Sequence, residues 1–240
     1  MSVLDDSVAA IRDLQPHKVV VFTGAGVSAD SGVPTFRGPQ GLWRSYRSED
    51  LATPEAFARD PKLVWQWYEW RRGLIREAQP NAAHRSIAQL ATAVVITQNV
   101  DNLHARGGSR DIVELHGNIF RVRCTREGTI TVADEPFASL PPHCACGALL
   151  RPDIVWFGEM LPEEAVERAS AAIIGADILL IIGTSGVVYP AAGLVALHRG
   201  LSIEINPEAS ALASACTYAI PSRAAEATPQ IINAILEGQR

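Results

Sequence analysis

Short apolar runs alternate with amphipathic stretches along the chain. The apolar runs, which predict strands, lie at residues 18–22, 93–97, 112–115, 153–157, 178–182, 202–206 and 217–221. The amphipathic stretches, which predict helices, lie at residues 3–14, 60–72, 162–173 and 226–237. At least four of the predicted strands end in polar residues. Helices between such strands predict an α/β fold with a doubly wound parallel sheet and ligand-binding groups along one edge.

The first predicted strand ends in a glycine-rich turn, Gly24-Ala25-Gly26. The two glycines allow positive φ angles and leave no side chain between the main chain and a pyrophosphate. A helix expected after Gly26 would direct its free N–H groups at those phosphates. Glycine pairs after strands are common, so the turn alone does not specify a dinucleotide site.

The residues after this turn disfavour the usual dehydrogenase arrangement, which continues with a long helix and a second strand. Five helix-breaking residues follow within a short interval: Gly32, Pro34, Gly38, Pro39 and Gly41. Arg37 lies in the same loop, and its side chain can cover a ligand that is bound at the glycine turn. The pattern therefore predicts a cofactor site that is covered by a loop.

A helix is predicted to begin at Asp60-Pro61, where a capping residue precedes proline at the first helical position. Its apolar stripe, expected to face the core, consists of Leu63, Trp67, Trp70 and Leu74. Tyr68 and Arg71, three residues apart, are neighbours at the flank of this stripe. They are either a boundary tyrosine beside a snorkelling arginine or a clamp for the carboxylate of a dicarboxylic acyl group.

Polar residues follow several predicted strands, where open α/β sheets bind their ligands. Gln98, Asn99 and Asp101 follow one strand, and His116 follows the next. The ordinary pKa of histidine suits a general base near neutral pH, and we assign that role to His116. We interpret the other histidines as surface or structural residues. The groups that suit phosphate or ribose contacts at later strand ends are Gly183, Thr184, Ser185, Asn206 and Glu208.

A cysteine-containing segment between residues 120 and 151 predicts a small metal-binding module. Cys124, Cys144 and Cys146 supply three thiolates, but a four-thiolate ribbon has two C-x-x-C pairs, and Glu127 stands where the second cysteine belongs. Either Glu127 or His143 would complete a tetrahedral zinc site. The alternative is a relic module that is held by its own packing.

Composition narrows the class of protein. The 240 residues include 48% hydrophobic ones, enough for a full core, and the formal charge of −5 argues against general nucleic-acid binding. The N-terminal residues have neither the basic start nor the apolar core of a signal peptide, and no apolar run is long enough to span a membrane. These features predict a cytoplasmic protein.

Taken in order, these segments resemble the sirtuin family over nearly the whole chain. The matching motifs are GAGVSADSGVPTFRG (24–38), TQNVDNLH (97–104), ELHG (114–117), IVWFGE (154–159), GTSGVVYP (183–190) and IN (205–206). The resemblance implies a Rossmann-like NAD-binding domain at residues 1–37, 80–116 and 159–240. It also implies a smaller inserted helical and zinc-ribbon-like module at residues 38–79 and 117–158.

The resemblance implies NAD-dependent removal of acyl groups from protein lysine side chains, with release of nicotinamide and O-acyl-ADP-ribose. In that reaction His116 deprotonates a ribose hydroxyl after the acyl oxygen has attacked the ribose carbon. The Tyr-x-x-Arg pair Tyr68 and Arg71 looks like the signature of the class III branch, which removes succinyl and malonyl groups. The alternatives are transfer of ADP-ribose to protein, a non-catalytic NAD-sensing module and, third, a dehydrogenase.

The resemblance also implies roles for particular residues. Catalytic roles fall to Arg37, Asn99, Asp101 and His116. Cofactor-binding roles fall to Gly24, Ala25, Gly26, Asp30, Thr35, Phe36, Arg37, Trp43, Gln98, Asn99, Asp101, His116, Gly183, Thr184, Ser185, Asn206, Glu208 and Ala224. Substrate-binding roles fall to Tyr68, Arg71, Val155, Phe157, Gly158, Glu159 and Val187. The substrate peptide is expected to add as a strand between residues 156–159 and 186–189, and neither nucleic acid nor membrane is expected as a partner.

Overall fold

The structure, a computed structural model, describes residues 2–36 and 47–239. The strands are β1 (Val19–Thr23), β2 (Val94–Thr97), β3 (Asp111–Glu114), β4 (Gly117–Cys124), β5 (Ile130–Val132), β6 (Leu150–Ile154), β7 (Ile178–Ile182), β8 (Leu201–Ile205) and β9 (Tyr218–Ile220). The α-helices are α1 (Val3–Leu14), α2 (Ser48–Leu51), α3 (Pro54–Arg59), α4 (Pro61–Glu77), α5 (Ala82–Ile87), α6 (Leu103–Arg106), α7 (Glu163–Ile174), α8 (Ala191–Leu194) and α9 (Ala224–Gly238).

Within the described residues, the larger sheet has six parallel strands in the order β3-β2-β1-β7-β8-β9. Counted along the chain within this sheet, the order is 3-2-1-4-5-6, that of doubly wound dinucleotide-binding domains. The order reverses between β1 and β7, so a crevice is expected where these two strands end. The predicted α/β, Rossmann-like fold is therefore confirmed.

Two hydrophobic cores cover the faces of this sheet. One includes Val19 and Val21 of β1 with Ile11 of α1 and Ile231 of α9. The other includes Val20 and Phe22 of β1 with residues of α7 and α8. Because helices cover both faces, all five residues of β1 and all five of β7 are buried.

A smaller antiparallel sheet has the order β5-β4-β6 and packs with α2, α3 and α4 in a third core. This is the helical part and the cysteine-containing part of the module expected from the sequence. Among the described residues, no helix combines the length and apolar character that a membrane span requires.

The prediction for the buried face of α4 was wrong in part. Trp67 is buried, but Leu63, Trp70 and Leu74 are 44%, 43% and 40% exposed. A charged residue lies on the buried face instead of the predicted apolar residues. Arg72 is fully buried, and its guanidinium donates to the carbonyl oxygens of Ile119 and Glu135 at 3.2 and 2.9 Å. The buried face of α4 is therefore rotated from the one that apolar residues alone indicate. It consists of Val64, Trp65, Trp67, Tyr68, Arg71, Arg72 and Ile75.

One further expectation was wrong, and one needs a closer description. The helix expected after the glycine turn is a short 3₁₀ helix, Ala25–Ser31, which begins one residue before Gly26. The strand expected at 153–157 is β6, which ends at Ile154. It ends there because the Trp156 N–H donates to the Glu159 carboxylate at 2.8 Å and Gly158 turns the chain with a φ of 88°. α4 also continues to Glu77, beyond the predicted end at residue 72. The other predicted elements begin and end close to their expected positions, and α2, α3, α5, α6, α8, β4 and β5 were not predicted.

Candidate active site

A cavity of about 630 Å³ opens where β1, β2, β7 and β8 end, between the two sheets. It lies at the point where the strand order reverses, as expected for this fold. The predicted residues that line it are Gly24, Ala25, Gly26, Thr35, Phe36, Tyr68, Arg71, Gln98, Asn99, His116, Val155, Phe157, Gly158, Glu159, Gly183, Thr184, Ser185, Val187, Asn206 and Glu208. Residues distant in sequence thus meet around one space.

Five predicted residues are placed otherwise. Arg37 and Trp43 lie outside the described residues. Asp30 does not line the cavity; its carboxylate pairs with Arg223 and accepts the Ala225 N–H at 3.3 Å. Asp101 and Ala224 are buried beneath the cavity wall instead of lining it. The binding roles of these five residues remain predictions.

The glycine turn packs tightly against the end of β7. The Gly26 N–H donates to the Gly183 carbonyl oxygen at 2.8 Å, and Gly183 has a φ of 63°. A Cβ atom on Gly26 would lie 2.7 Å from the Cα atom of Gly183, closer than real Cβ atoms approach. Only glycines let these backbones meet and form a floor on which a pyrophosphate can rest.

His116 is oriented by the backbone of the neighbouring strand end. Its Nδ1 lies 2.9 Å from the carbonyl oxygen of Gln98. A carbonyl oxygen only accepts hydrogen bonds, so Nδ1 carries the proton and Nε2 is left as a proton acceptor. Burial lowers the pKa of His116 below its ordinary value, although the bond to Gln98 raises it. The imidazole is therefore neutral at physiological pH, as a general base requires.

This lowered pKa predicts the pH dependence of turnover. A general base works only when it is unprotonated, so with His116 in the predicted role, activity should be full above its pKa and fall as the pH drops through it. We expect the acid limb of a kcat/KM profile to have an apparent pKa below 6.5, the ordinary value for histidine. An acid limb at or above 6.5 would contradict the environment described for His116.

The strand ends are joined by polar side chains. Gln98 Nε2 donates to Thr184 Oγ1 at 3.0 Å, which ties the end of β2 to the end of β7. Asn206 Nδ2 donates to the carbonyl oxygen of Thr184 at 2.9 Å, which ties in β8. Asn99 Nδ2 donates to Ser28 Oγ at 3.2 Å. These bonds fix the amide side chains along the cavity floor.

Sequence reasoning missed a buried polar group beneath this floor. Ser28 Oγ donates to the Asp101 carboxylate at 2.7 Å, and His84 Nε2 lies 3.4 Å from Ser28 Oγ. The rings of His84 and His104 lie 4.8 Å apart, and burial lowers their pKa values to about 4 and about 3, so both are neutral. The signal in the sequence was Ser28, a polar residue that directly follows the apolar Val27 in the segment after the glycine turn.

Arg71 and Tyr68 form a cationic end of the cavity. Arg71 is 5% exposed, and its guanidinium carbon lies 4.4 Å from the ring centroid of Phe36 and 5.1 Å from that of Trp67. Within residues 2–36 and 47–239, no direct ion pair joins this guanidinium to a carboxylate. Burial lowers the pKa of Arg71 to about 10, although the charge of Asp101 acts on it and raises its pKa, and at this value the group stays charged at neutral pH.

Exposed apolar side chains border the mouth of the cavity. Phe157, Val187 and Tyr189 are 43%, 49% and 73% exposed. They lie on two segments, 156–159 and 186–189, which both line the cavity. An extended peptide between these segments would cover the apolar side chains.

The predicted metal site brings its residues together. The ligand atoms of Cys124, Glu127, Cys144 and Cys146 all lie within 4.8 Å of one another, and Cys124 Sγ lies 3.5 Å from Cys146 Sγ. Two thiolates on a tetrahedral zinc ion, with bonds of about 2.3 Å, lie about 3.8 Å apart. Three thiolates and the Glu127 carboxylate therefore fit zinc, and His143 is not part of this cluster.

Zinc held at this cluster would stabilise the small sheet. Cys124 ends β4, and the Cys144 backbone N–H donates to the Ala148 carbonyl oxygen in the loop before β6, so one ion would join both parts. We expect about one zinc per chain by elemental analysis, and a fall in Tm of about 5 °C or more after chelation. A metal-free preparation whose Tm does not respond to chelator or added zinc would favour the relic module.

Comparison with known proteins agrees with this geometry. The model of the Sir2 family matches residues 24–190. The NAD-dependent protein deacylase 2 of Pyrobaculum aerophilum is 54% identical over 224 residues, which is 90% of each chain. A solved complex of a Sir2 homologue with NAD has a TM-score of 0.90 and 42% identity, covering 98% of this chain and 95% of that one. A complex of Sir2 with a p53 peptide and NAD⁺ has a TM-score of 0.81 and 31% identity, covering 92% and 95%.

Proposed function

The chain belongs to the Sir2, or sirtuin, family, and from this premise we propose that it removes succinyl- and malonyl-type groups, as well as acetyl groups, from protein lysine side chains with NAD. Its relatives are NAD-dependent protein deacylases, and solved relatives hold NAD or a peptide. The observation that supports the carboxylated acyl groups is the buried Arg71 beside Tyr68 in the same cavity as His116.

The cavity offers a place for each part of NAD. Gly24, Ala25 and Gly26 would hold the pyrophosphate, and Thr184 with Asn206 and Glu208 would hold the adenosine side. Gln98 and Asn99 would contact the nicotinamide and its ribose. Bound NAD supplies a ribose carbon that takes the acyl oxygen when its bond to nicotinamide breaks. Arg37, Trp43, Asp30, Asp101 and Ala224 keep the roles implied by the resemblance as part of this proposal.

His116 would remove a proton from a ribose hydroxyl. Its Nε2 is the free acceptor because Nδ1–H is held by the Gln98 carbonyl oxygen. The lowered pKa keeps this nitrogen unprotonated at neutral pH. Proton removal at this atom makes the hydroxyl a nucleophile towards the acyl carbon, and general-base help of this kind contributes about 10²- to 10⁴-fold.

Arg71 and Tyr68 would bind the far end of the acyl group. Arg71 interacts with the charge of Asp101 but has no ion pair at bonding distance among the described residues, so its guanidinium, beside a phenol, can take the carboxylate of a succinyl or malonyl group. An acetyl group is too short to reach this pair and would leave it unpaired. The peptide itself would bind between residues 156–159 and 186–189 through main-chain hydrogen bonds.

We propose that NAD and the acyl group are bound by different domains. The NAD-binding domain comprises residues 1–37, 80–116 and 159–240. The small domain, residues 38–79 and 117–158, would contribute the acyl end of the cavity and the metal site. The cavity then lies between the two domains, which is a frequent position for binding sites.

A panel of acyl-lysine peptides tests the proposal. Each peptide is incubated with NAD⁺ and the enzyme, and the products are identified by mass spectrometry. We expect free lysine, nicotinamide and O-acyl-ADP-ribose in equal amounts from succinyl, malonyl and acetyl peptides. ADP-ribosylated protein without O-acyl-ADP-ribose would favour the transferase alternative. Turnover of acetyl peptides alone would refute the carboxylated substrates.

A further inference from the structure

The hydroxyl group of Tyr68 has a defined hydrogen-bonding role. Trp156 Nε1 lies 2.9 Å from the Tyr68 hydroxyl oxygen. An indole N–H only donates, so the tyrosine oxygen is the acceptor in this bond and its own proton is directed elsewhere. Tyr68 is 3% exposed, and burial raises its pKa to about 12, so the proton stays on the oxygen at neutral pH. The hydroxyl therefore offers a donor to the cavity.

Trp156 is itself held in place from its other side. The guanidinium carbon of Arg151 lies 3.6 Å from the centroid of the Trp156 ring. Two nitrogens of Arg151 donate to the two carboxylate oxygens of Glu159 at 2.6 and 2.8 Å. The same carboxylate accepts the backbone N–H of Trp156 at 2.8 Å. The ring is thus fixed by a stacked arginine and by its own backbone.

These contacts form a continuous path from Glu159 through Arg151 and Trp156 to Tyr68. We propose that Trp156, stacked on Arg151, determines acyl-group specificity by fixing the Tyr68 hydroxyl as a hydrogen-bond donor to a substrate carboxylate. Trp156 acts through Tyr68, so it is a positioning residue. The inference rests on the proposed function, because only an acyl group that ends in a carboxylate can use this donor.

The physical reason is preorganisation. Without the indole N–H, the Tyr68 hydroxyl can rotate and present its lone pairs to the cavity, which would repel a carboxylate. A succinyl group then loses part of a charge-assisted hydrogen bond. An acetyl group has no acceptor at its methyl end and loses nothing at this position. The ratio of succinyl-lysine activity to acetyl-lysine activity therefore measures the effect of the Trp156–Tyr68 hydrogen bond. A change in overall turnover affects both activities and leaves this ratio unchanged.

Trp156→Phe tests the inference, since it keeps an aromatic ring and removes the indole N–H. The measured quantity is the ratio of kcat/KM for succinyl-lysine to that for acetyl-lysine in the same peptide. We expect this ratio to fall about five-fold, as for one net hydrogen bond. Tyr68→Phe should also lower it, and the double variant should show no further fall, because the two residues act through one bond.

Trp65→Phe is the matched control. Trp65 lies on the same helix as Tyr68, is fully buried, and donates its indole N–H to the Leu150 carbonyl oxygen at 2.8 Å, but it does not line the cavity. Its substitution removes the same group and should leave the ratio unchanged. Should Trp156→Phe not fold, Arg151→Lys replaces it, because lysine keeps the charge but cannot stack as a plane. It too should lower the ratio.

The outcomes separate the inference from the proposed function. If Arg71→Met lowers succinyl activity selectively while Trp156→Phe leaves the ratio unchanged, the inference fails and the proposed function stands. A further fall of the ratio when Trp156→Phe is added to Tyr68→Phe would also overturn the inference. If Arg71→Met lowers both activities equally, the carboxylate site itself is wrong and the inference falls with it.

Discussion

His116→Ala is expected to lower turnover by about 10²- to 10⁴-fold while NAD still binds. The imidazole is the general base in the account given above, and its Nε2 is the free proton acceptor in the cavity. The Gly24–Gly26 turn and the polar strand ends that would bind the dinucleotide are untouched by the change. Turnover is measured as nicotinamide and O-acyl-ADP-ribose formed, and NAD binding by calorimetry.

His17→Ala is a suitable control, because this histidine is exposed and lies outside the cavity. It should retain full activity. Turnover close to that of the unmodified enzyme in His116→Ala would remove His116 from the catalytic role. A variant that loses both turnover and NAD binding would show that the histidine supports the site instead of acting as the base.

Arg71→Met is expected to lower succinyl-lysine activity at least about 30-fold more than acetyl-lysine activity. The guanidinium is buried, and a carboxylate left unpaired in such a place loses about 2 kcal/mol or more of binding. Methionine retains the length and apolar contacts of the side chain with Phe36 and Trp67. The measurement is kcat/KM for the two acyl forms of one peptide.

Arg76→Met provides the matched control on the same helix. The Arg76 guanidinium donates to the carbonyl oxygen of Asp134 and does not line the cavity. Its substitution should leave the succinyl-to-acetyl ratio unchanged. Equal losses on both substrates in Arg71→Met would mean that the guanidinium supports the fold or the cofactor and does not bind the acyl carboxylate.

The sequence carried most of the information about the larger sheet. Apolar runs such as Ile178–Ile182 are buried on both faces, so their pattern is unambiguous. Polar residues directly after the runs were expected at one edge, and the structure brings Gln98, His116 and Thr184 to one cavity. This part is predictable because parallel strands place their carboxyl ends together.

The small module was less predictable because charged residues are buried there. Arg72 is fully buried through hydrogen bonds to backbone carbonyl groups, which no count of apolar positions reveals. The face of α4 was therefore assigned wrongly at Leu63, Trp70 and Leu74. The same rotation buries Tyr68 and Arg71, which spacing alone left open between the boundary of the core and a binding site.

Contacts between residues that are far apart in the chain could not be predicted from the sequence either. The choice between Glu127 and His143 needed the distances that bring Glu127 to the thiolates. The bond from Trp156 to Tyr68 joins residues 88 positions apart and has no local signal. Ser28 and the two buried histidines beneath the floor are likewise joined only by the fold.

The most direct test of the central claim is a crystal structure with a non-hydrolysable NAD analogue and a succinyl-lysine peptide. We expect the dinucleotide across the ends of β1 and β7, with His116 Nε2 within hydrogen-bond distance of a ribose hydroxyl. We also expect the succinyl carboxylate on Arg71 and Tyr68. A dinucleotide bound elsewhere, or a ribose out of reach of His116, would contradict the central claim.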